Sequence, residues 1–249
     1  MLYRKDHVVS NEFGSGGEVS PDGTQIAIGL RNPSAWNYYL GVVRYDGSAV
    51  REYPEIVPIE MCWSHDQSKM ALIVYDPVRS ESLVILDLSS KKTQVIVPDV
   101  VDGHLTSQCW SPDDKQVVFE SQRDVRIAQI GKKRSAVLAK GQNPTWSPVG
   151  DWIAFCDQGT YYSVQPGEET PKKLFHRKRA ASGLYWSPDA RFVAYVVEDW
   201  FALDVESYSL RVRRLADNSD DRVAEAAGAG AGGQWVLNKD LLMLVDAKP

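Results

Sequence analysis

A short phrase recurs along this chain and leaves few folds open to it: tryptophan, serine, proline and aspartate, followed by a hydrophobic run. Its serine falls at positions 20, 64, 111, 147 and 187, and a degenerate copy stands at 235–238. Repeats of about 40 residues are typical of β-propellers, in which each repeat forms one four-stranded blade around a central axis. The spacing therefore predicts a single domain over residues 1–249, built from six such repeats.

The run after each phrase has the pattern of a strand that is covered on both faces. In the fourth copy it reads Ile153, Ala154 and Phe155, and the other copies also have large apolar residues six and eight positions after the serine. Side chains at alternate positions of a strand share a face, so one face here is large and the other is usually alanine. This pattern suits the blades of a propeller, because each blade is covered by a neighbour on both faces and the space available differs between the two faces.

The phrase itself predicts a tight turn. Serine, proline, aspartate and glycine suit the four positions of a type I turn, because proline fixes φ, aspartate bonds nearby N–H groups and glycine accepts a positive φ. We expect these turns at 20–23, 64–67, 111–114, 147–150, 187–190 and 236–239. Ala190 holds the glycine position of the fifth copy, so the backbone is expected to be most strained there. The serines have no histidine at a fixed offset and are interpreted as structural.

The repeat resembles that of the TolB-type six-bladed β-propellers, whose unit combines a WSPDG turn with an IAF-like strand, as in WSP at 146–148 and IAF at 153–155. The resemblance covers nearly the whole chain and implies an all-β fold, a six-bladed β-propeller of four-stranded antiparallel blades. We expect N-terminal strands at 2–4 and 8–10 to close the last blade together with the C-terminal strands, which removes an exposed edge. The alternative is a chain whose last blade stays short. Propellers of this type serve as binding platforms, accessory domains or, less often, enzymes, so the resemblance does not define a function.

Composition excludes several classes of protein. The net charge of −5 and the pI near 5.4 argue against nucleic-acid binding, which needs a basic surface. No apolar run approaches the length of about 18 residues that a membrane-spanning helix needs. Charged residues at positions 4–7 interrupt the start, so no signal peptide is predicted. The sequence as it stands predicts a monomeric cytoplasmic protein, or a periplasmic one if a leader has been removed.

Tryptophan and cysteine are interpreted as core residues. Five of the eight tryptophans belong to the repeat, and we expect them to pack between blades. Cys62 and Cys109 each stand directly before a repeat tryptophan on adjacent blades, and Cys156 lies on the second strand of the fourth blade. Because strands of neighbouring blades are not expected to pair, all three cysteines are predicted to be buried small apolar residues rather than disulfide partners.

No catalytic, metal-binding or cofactor-binding motif stands out. The chain lacks a G-x-S-x-G elbow, and its four histidines form no paired metal-binding motif. We therefore predict no catalytic residues, no metal and no cofactor. The residues four before each repeat serine are expected at one mouth of the axial channel, among them Glu60, Ser107 and Asn143. A hard cation needs several oxygen ligands, and these positions offer a single carboxylate.

The turns between the second and third strands of each blade carry the candidate binding residues. Equivalent turns of a propeller lie on one face, and here they contain Tyr, Trp and Arg, the residue types that dominate protein interfaces. The candidates are Trp36, Tyr38, Arg79, Arg123, Asp157, Tyr161, Glu198 and Trp200. The leading hypothesis is a non-enzymatic scaffold that binds a protein or peptide on this face.

Two other functions remain open. The first is a hydrolase or lyase that acts on a small molecule or saccharide in the axial channel, with Glu60, Asp157 and Glu198 as candidate acids and bases. Two carboxylates within about 10 Å of each other in a cleft would favour this reading. The second is an accessory propeller domain of a larger protein.

Overall fold

The fold is that of a computed structural model, which describes residues 17–31, 38–76, 80–150, 152–178, 184–200, 206–227, 231–235 and 241–245. Within these ranges the chain forms 21 β-strands. They make up a β-propeller of antiparallel blades in which neighbouring strands follow one another along the chain. The predicted all-β fold with four-stranded antiparallel blades is confirmed. Among the described residues, none belongs to a helix long and apolar enough to cross a membrane.

Four of the blades have four paired strands each, numbered here in chain order. The first blade consists of β1 (Glu18–Val19), β2 (Gln25–Arg31), β3 (Tyr38–Arg44) and β4 (Val50–Tyr53). The second consists of β5 (Pro58–Trp63), β6 (Lys69–Asp76), β7 (Ser80–Asp87) and β8 (Thr93–Val100). The fourth consists of β12 (Gln142–Trp146), β13 (Ile153–Asp157), β14 (Thr160–Val164) and β15 (Lys172–His176). The fifth consists of β16 (Tyr185–Trp186), β17 (Phe192–Trp200), β18 (Glu206–Arg214) and β19 (Asp220–Ala227).

The third blade departs from this pattern on its inner side. Its regular strands are β9 (Gln116–Ser121), β10 (Asp124–Gln129) and β11 (Ser135–Lys140). The innermost segment pairs with β9 only through two isolated bridges, His104 to Glu120 and Trp110 to Val117. Between these bridges, residues 105–109 lie opposite residues 118–119 alone, so the inner segment bulges out of the blade. We call residues 105–109 the inner bulge.

The described residues contain five blades rather than the predicted six. The last two strands, β20 (Ala231–Trp235) and β21 (Leu241–Val245), form a two-stranded sheet with which no other strand of the described ranges pairs. A further four-stranded blade needs two more strands than this sheet supplies, so the count of six is not confirmed. The N-terminal segments 2–4 and 8–10, predicted to close that blade, lie outside the described residues.

Serine and aspartate side chains hold the repeat turns together. In the third copy the Ser111 hydroxyl donates to Asp113 Oδ1 over 2.7 Å and accepts the N–H of Gln116 over 2.9 Å. The first, second and fifth copies make the same two bonds. The serine of each of these copies is buried, which supports its structural interpretation.

The fourth residue of each described turn has a left-handed backbone, with φ of 72° at Gly23, 58° at Gln67, 53° at Asp114, 83° at Gly150 and 54° at Ala190. For a residue with a Cβ this conformation costs about 1–2 kcal/mol. The strain predicted at Ala190 is therefore present, and glycine relieves it only in the first and fourth copies.

Hydrophobic contacts between neighbouring blades form the core. Repeat tryptophans 63, 110, 146 and 186 are each at most 5% exposed, as predicted, whereas the side chain of Trp235 lies outside the described part. Two of them also join blades by hydrogen bonds: Trp63 Nε1 donates to the Glu18 carbonyl over 2.9 Å and Trp110 Nε1 to the Cys62 carbonyl over 3.1 Å. Trp63 and Trp110 thus bind the innermost strand of the preceding blade, whereas Nε1 of Trp146 and of Trp186 is buried without a partner among the described residues.

Cys62 and Cys109 form a disulfide between the second and third blades, so the prediction that they stay unpaired is wrong. Both residues are fully buried, and their Cα atoms are 6.4 Å apart, within the range that a disulfide requires. The two strands do not pair, but the inner bulge ends at Cys109 and carries its N–H to 3.3 Å from Cys62 Sγ. Cys156 is a free, half-buried thiol.

Candidate ligand site at the channel mouth

The innermost strands begin on the face that also carries the turns between second and third strands. The first strand of a blade crosses the propeller, the repeat turn reverses the chain, and the second strand returns antiparallel to the starting face. We call this side the loop face; it carries the two-residue turns at 122–123 and 158–159. A group of polar side chains lies along the innermost strands, and we call it the channel mouth: Glu60, His104, Glu120 and Asn143 near the loop face, and Glu18 two residues deeper, at the level of Cys62.

A carboxylate–imidazole pair joins the second and third blades at the channel mouth. Glu60, on β5, lies with its Oε1 2.9 Å from Nδ1 of His104, and both side chains are partly exposed. Burial lowers the pKa of His104, but the hydrogen bond to Glu60, the charges of Glu60 and Glu120 and a hydrogen bond with Asn143 outweigh it, so the pKa is raised overall. The imidazole therefore holds its proton to higher pH than usual.

The Glu120 carboxylate is held by the fourth blade. Glu120 is 7% exposed; its Oε2 accepts the backbone N–H of Asn143 over 2.9 Å, and its Oε1 accepts from Gln142 Nε2 over 3.4 Å. Asn143 has a φ of 51°, a left-handed backbone at a bulge of β12. That conformation turns the Asn143 N–H towards Glu120 and brings its side chain to His104.

Glu18, on β1, has an enclosed carboxyl group. Its Oε1 atom is buried and has no hydrogen-bond partner within the described structure. Burial, together with the charge of the nearby Glu60, raises the pKa of Glu18 to about 8. At neutral pH the group is therefore mostly a neutral carboxylic acid, although a glutamate in water is ionised.

At the opposite end of the innermost strands, Gln108 of the inner bulge covers the axial side of the fourth and fifth blades. Its side-chain amide donates to the Trp186 carbonyl over 2.8 Å and accepts the Trp186 N–H over 2.7 Å, in the manner of a strand partner. Its backbone carbonyl accepts the N–H of Trp146 over 2.7 Å. These bonds occupy the inner edges of both blades directly before their repeat turns, at the end of the innermost strands away from the loop face.

The three residues predicted near the axis have different surroundings. Glu60 and Asn143 belong to the channel mouth, on separate blades but linked through His104. Ser107 lies in the inner bulge, where its hydroxyl is buried without a hydrogen-bond partner among the described residues. Of the predicted acid–base set, Glu60 pairs with His104, Asp157 lies at the end of β13, and the Glu198 side chain is outside the described part, so the set stays a prediction.

The predicted binding residues of the loop face are only partly described. Arg123 is exposed, and Tyr38 and Asp157 are half-buried. Tyr161 is fully buried in the core between the fourth and fifth blades, with its ring 4.8 Å from that of Phe175, so its proposed contact with a partner is wrong. Four of the predicted side chains lie outside the described part: Trp36, Arg79, Glu198 and Trp200.

Glu18, His104 and Glu120 are absent from the sequence-based candidates. Glu18 had a detectable signal, since it occupies the position directly before the repeat phrase where other copies have Cys62, Thr145 or Tyr185. His104 gave none, because the inner bulge shifts it out of the fixed offset from the repeat serine. Glu120 lies at the end of a strand, outside the turn positions from which candidates were chosen.

Comparisons with known proteins agree on the fold. The chain superposes on a protein assigned as TolB from Agrobacterium tumefaciens with a TM-score of 0.72 and 15% identity, covering 97% of this chain and 91% of that chain. For TolB from Acinetobacter baumannii the TM-score is 0.70 at 17% identity, over 89% of this chain and 58% of that chain. An oligogalacturonate lyase in complex with manganese gives 0.64 at 12% identity, over 93% of this chain and 69% of that chain. At these identities the likeness shows the fold alone, that of a TolB-like β-propeller.

Sequence comparison adds little. No protein-family profile matches the chain. A curated relative, a probable dipeptidyl-aminopeptidase B of Aspergillus clavatus, is 25% identical over 116 residues, which is 45% of this chain and 10% of that protein. The chain thus matches a tenth of that relative's length.

Proposed function

We propose that this propeller is a non-enzymatic scaffold that binds a protein or peptide on its loop face, around the channel mouth. The observation that carries the proposal is the position of the channel mouth, at the centre of the face on which the second-to-third-strand turns lie. Side chains from consecutive blades meet there through Glu60, His104 and Asn143, although they are remote in sequence. A rigid ring with a polar centre and exposed turns around it is a surface suited to recognition.

The turn at 122–123 supports this assignment. Gln122 and Arg123 have φ values of 56° and 60°, so both residues adopt the left-handed backbone that such a two-residue hairpin needs. The equivalent turn of the fourth blade has Gly159 at its second position, with φ of 75°. Arg123 thus costs stability where glycine fits, and it exposes a guanidinium beside the channel mouth. Strain of this kind is concentrated at functional positions.

We further propose that the propeller is closed by a sixth blade built from both ends of the chain. β20 and β21 supply two of its strands, and segments 2–4 and 8–10 supply the others. The repeat tryptophan at 235 and the strand Leu241–Val245 support this proposal, because they follow the pattern of the preceding blades. Closure leaves no unpaired blade edge.

Replacing Arg123 by glycine tests the binding face, because a loss of affinity in this variant cannot be caused by a loss of stability. Because glycine relieves the left-handed strain, Arg123→Gly is expected to raise the free energy of unfolding by about 0.5–1 kcal/mol. The same variant is expected to weaken binding of the partner about tenfold, as loss of an interface arginine does. The partner is first captured from the native host with the wild-type protein, then purified, and its affinity is measured by biolayer interferometry.

The matched control is Lys133→Ala, an exposed cation in the turn between β10 and β11, on the side opposite the loop face. It is expected to leave the affinity unchanged. Equal losses in the two variants, or unchanged binding by Arg123→Gly, would contradict the assignment of the loop face.

The second candidate function is acid–base catalysis in the axial channel. It is favoured by the neutral carboxylic acid of Glu18 beside the Glu60–His104 pair, since perturbed titratable groups in a cleft are typical of active sites. Three carboxyl groups disfavour an anionic saccharide, and the described residues contain no three His, Cys, Asp or Glu grouped to hold a metal ion. Chromatography of neutral and acidic oligosaccharides after incubation, with Glu18→Gln as control, distinguishes turnover from binding. The third possibility, an accessory domain of a larger protein, stays a prediction.

A further inference from the structure

We infer that the channel mouth is a socket for a single organic cation, an ammonium or guanidinium group, with the Glu18 carboxylate as its counter-ion. The inference rests on the proposed function and names the chemical group that the bound partner presents: the tip of a lysine or arginine side chain, or a free amino terminus.

The hydrogen bonds of the channel mouth leave one acid without a donor. Glu60 Oε1 is engaged by His104, and both oxygens of Glu120 are engaged by residues of the fourth blade. Glu18 Oε1 is buried and unpartnered in the described structure. A buried acceptor without a donor costs about 1–3 kcal/mol. A ligand that donates an N–H group to Glu18 Oε1 removes this cost when it binds.

The charges of the channel mouth favour a cation. The charge of Glu60 acts on Glu18 and, together with that of Glu120, on His104, raising the pKa of both Glu18 and His104. Burial and the charge of Glu60 keep the Glu18 carboxyl protonated. A bound cation opposes both causes, because it pairs with the ionised carboxylate and offsets the charge of Glu60. Binding near neutral pH should therefore release the Glu18 proton.

The donor set fits an organic cation better than a metal ion. Ca²⁺ takes about six to eight oxygen ligands and Mg²⁺ about six, whereas His104 engages Glu60 and residues of the fourth blade engage both oxygens of Glu120. Among the described residues, no three His, Cys, Asp or Glu side chains are placed so that they could hold a metal ion together. An ammonium group donates three N–H bonds and a guanidinium five, and either can be shared between Glu18 and neighbouring acceptors.

The inner bulge determines how such a group enters. Gln108 occupies the axial edges of the fourth and fifth blades at the far end of their innermost strands. Thr106 lies along the same inner wall, where its hydroxyl donates to the Pro144 carbonyl over 2.7 Å. We therefore expect a ligand to enter end-on from the loop face rather than to thread through the ring.

The test is calorimetric titration of the purified protein at pH 7 with n-butylammonium, methylguanidinium and tetramethylammonium. The first two carry N–H donors, and the third has the charge without them. We expect either N–H cation to bind about tenfold more tightly than tetramethylammonium, since charge-assisted hydrogen bonds are the strong ones. Titrations in two buffers of different ionisation enthalpy should show release of nearly one proton per cation bound, because a group with a pKa of about 8 is mostly protonated at pH 7.

Glu18→Gln should abolish the proton release and weaken both N–H cations about tenfold, while Glu169→Gln, in an exposed loop, should do neither. Equal binding of all three cations, binding without proton release, or a preference for Ca²⁺ or Mn²⁺ that depends on Glu18 would overturn the inference. These outcomes leave the Arg123 result untouched, so failure of the socket is distinguishable from failure of the loop face as a binding surface.

Discussion

Replacing Cys62 and Cys109 together by alanine is expected to lower the free energy of unfolding by about 4 kcal/mol. The disulfide closes a loop with a sequence separation of 47 residues, and it joins the second blade to the irregular third blade. In the chain-entropy account, a cross-link over such a loop restricts the unfolded chain by about this amount. Urea denaturation of the oxidised protein and of the double variant, followed by tryptophan fluorescence, measures the difference.

Reduction and thiol counting separate the cross-link from the packing of the two side chains. The reduced wild-type protein keeps both sulfur atoms in place and should still lose most of the 4 kcal/mol, about 3 or more. Cys156→Ala, which removes the free thiol, should leave the effect of a reductant unchanged. Alkylation of the denatured, unreduced protein should label one cysteine per chain. Labelling of all three, or a reductant effect below about 1 kcal/mol, would show that the pair is not a structural disulfide.

The regular part of the fold is predictable because the turn and strands of each repeat are determined by residues within that repeat. Serine and aspartate define the turn by bonds that span only a few residues, as in Ser111 and Asp113. The strand that follows shows which faces are buried through alternation alone, as Ile153, Ala154 and Phe155 illustrate, all at most 1% exposed. The left-handed position of Ala190 follows from its place in the turn. None of these inferences requires knowledge of another blade.

The features that the sequence does not reveal depend on contacts between blades. The inner bulge has no local signature, yet it shifts His104 to Glu60 and ends at Cys109, beside Cys62. Equal spacing predicts that Cys62 and Cys109 are equivalent, whereas a disulfide needs them to be displaced towards each other. Tyr161 likewise starts a strand in a polar turn region, but its ring lies in the core between blades.

Glu18 combines both kinds of signal. Its position directly before the repeat phrase is visible in the sequence, but the enclosure of its carboxyl and its proximity to Glu60 are not. Its raised pKa comes from burial and from the charge of Glu60 on the second blade, which no local sequence pattern shows. A single column of a repeat alignment therefore identifies the unusual residue and says nothing about its charge state.

Glu18→Gln is expected to stabilise the protein at alkaline pH and to leave its stability almost unchanged near pH 4. The pKa of Glu18 is about 8 in the folded protein, against 4.5 ordinarily, so the folded state retains a proton that the unfolded state loses between these values. The contribution of Glu18 to stability therefore falls as the pH rises from 4.5 to 8 and is constant above 8. At about 1.4 kcal/mol for each pH unit, the full difference is at most about 5 kcal/mol. Glutamine is neutral throughout and avoids this loss.

The measurement is the free energy of unfolding in urea at pH 4, 7 and 9 for the wild-type protein, Glu18→Gln and the exposed-loop control Glu169→Gln. The raised pKa of His104 adds a second pH dependence, a stabilisation present below its ordinary pKa of 6.5 and lost as the pH rises through the folded value. That contribution is common to all three proteins and cancels in their differences. The gain of Glu18→Gln over the wild type should widen between pH 4 and pH 7 and reach its full size at pH 9, whereas Glu169→Gln should follow the wild type. A gain that is constant with pH would mean that Glu18 is ionised in the folded protein, and the enclosed neutral acid at the channel mouth would have to be given up.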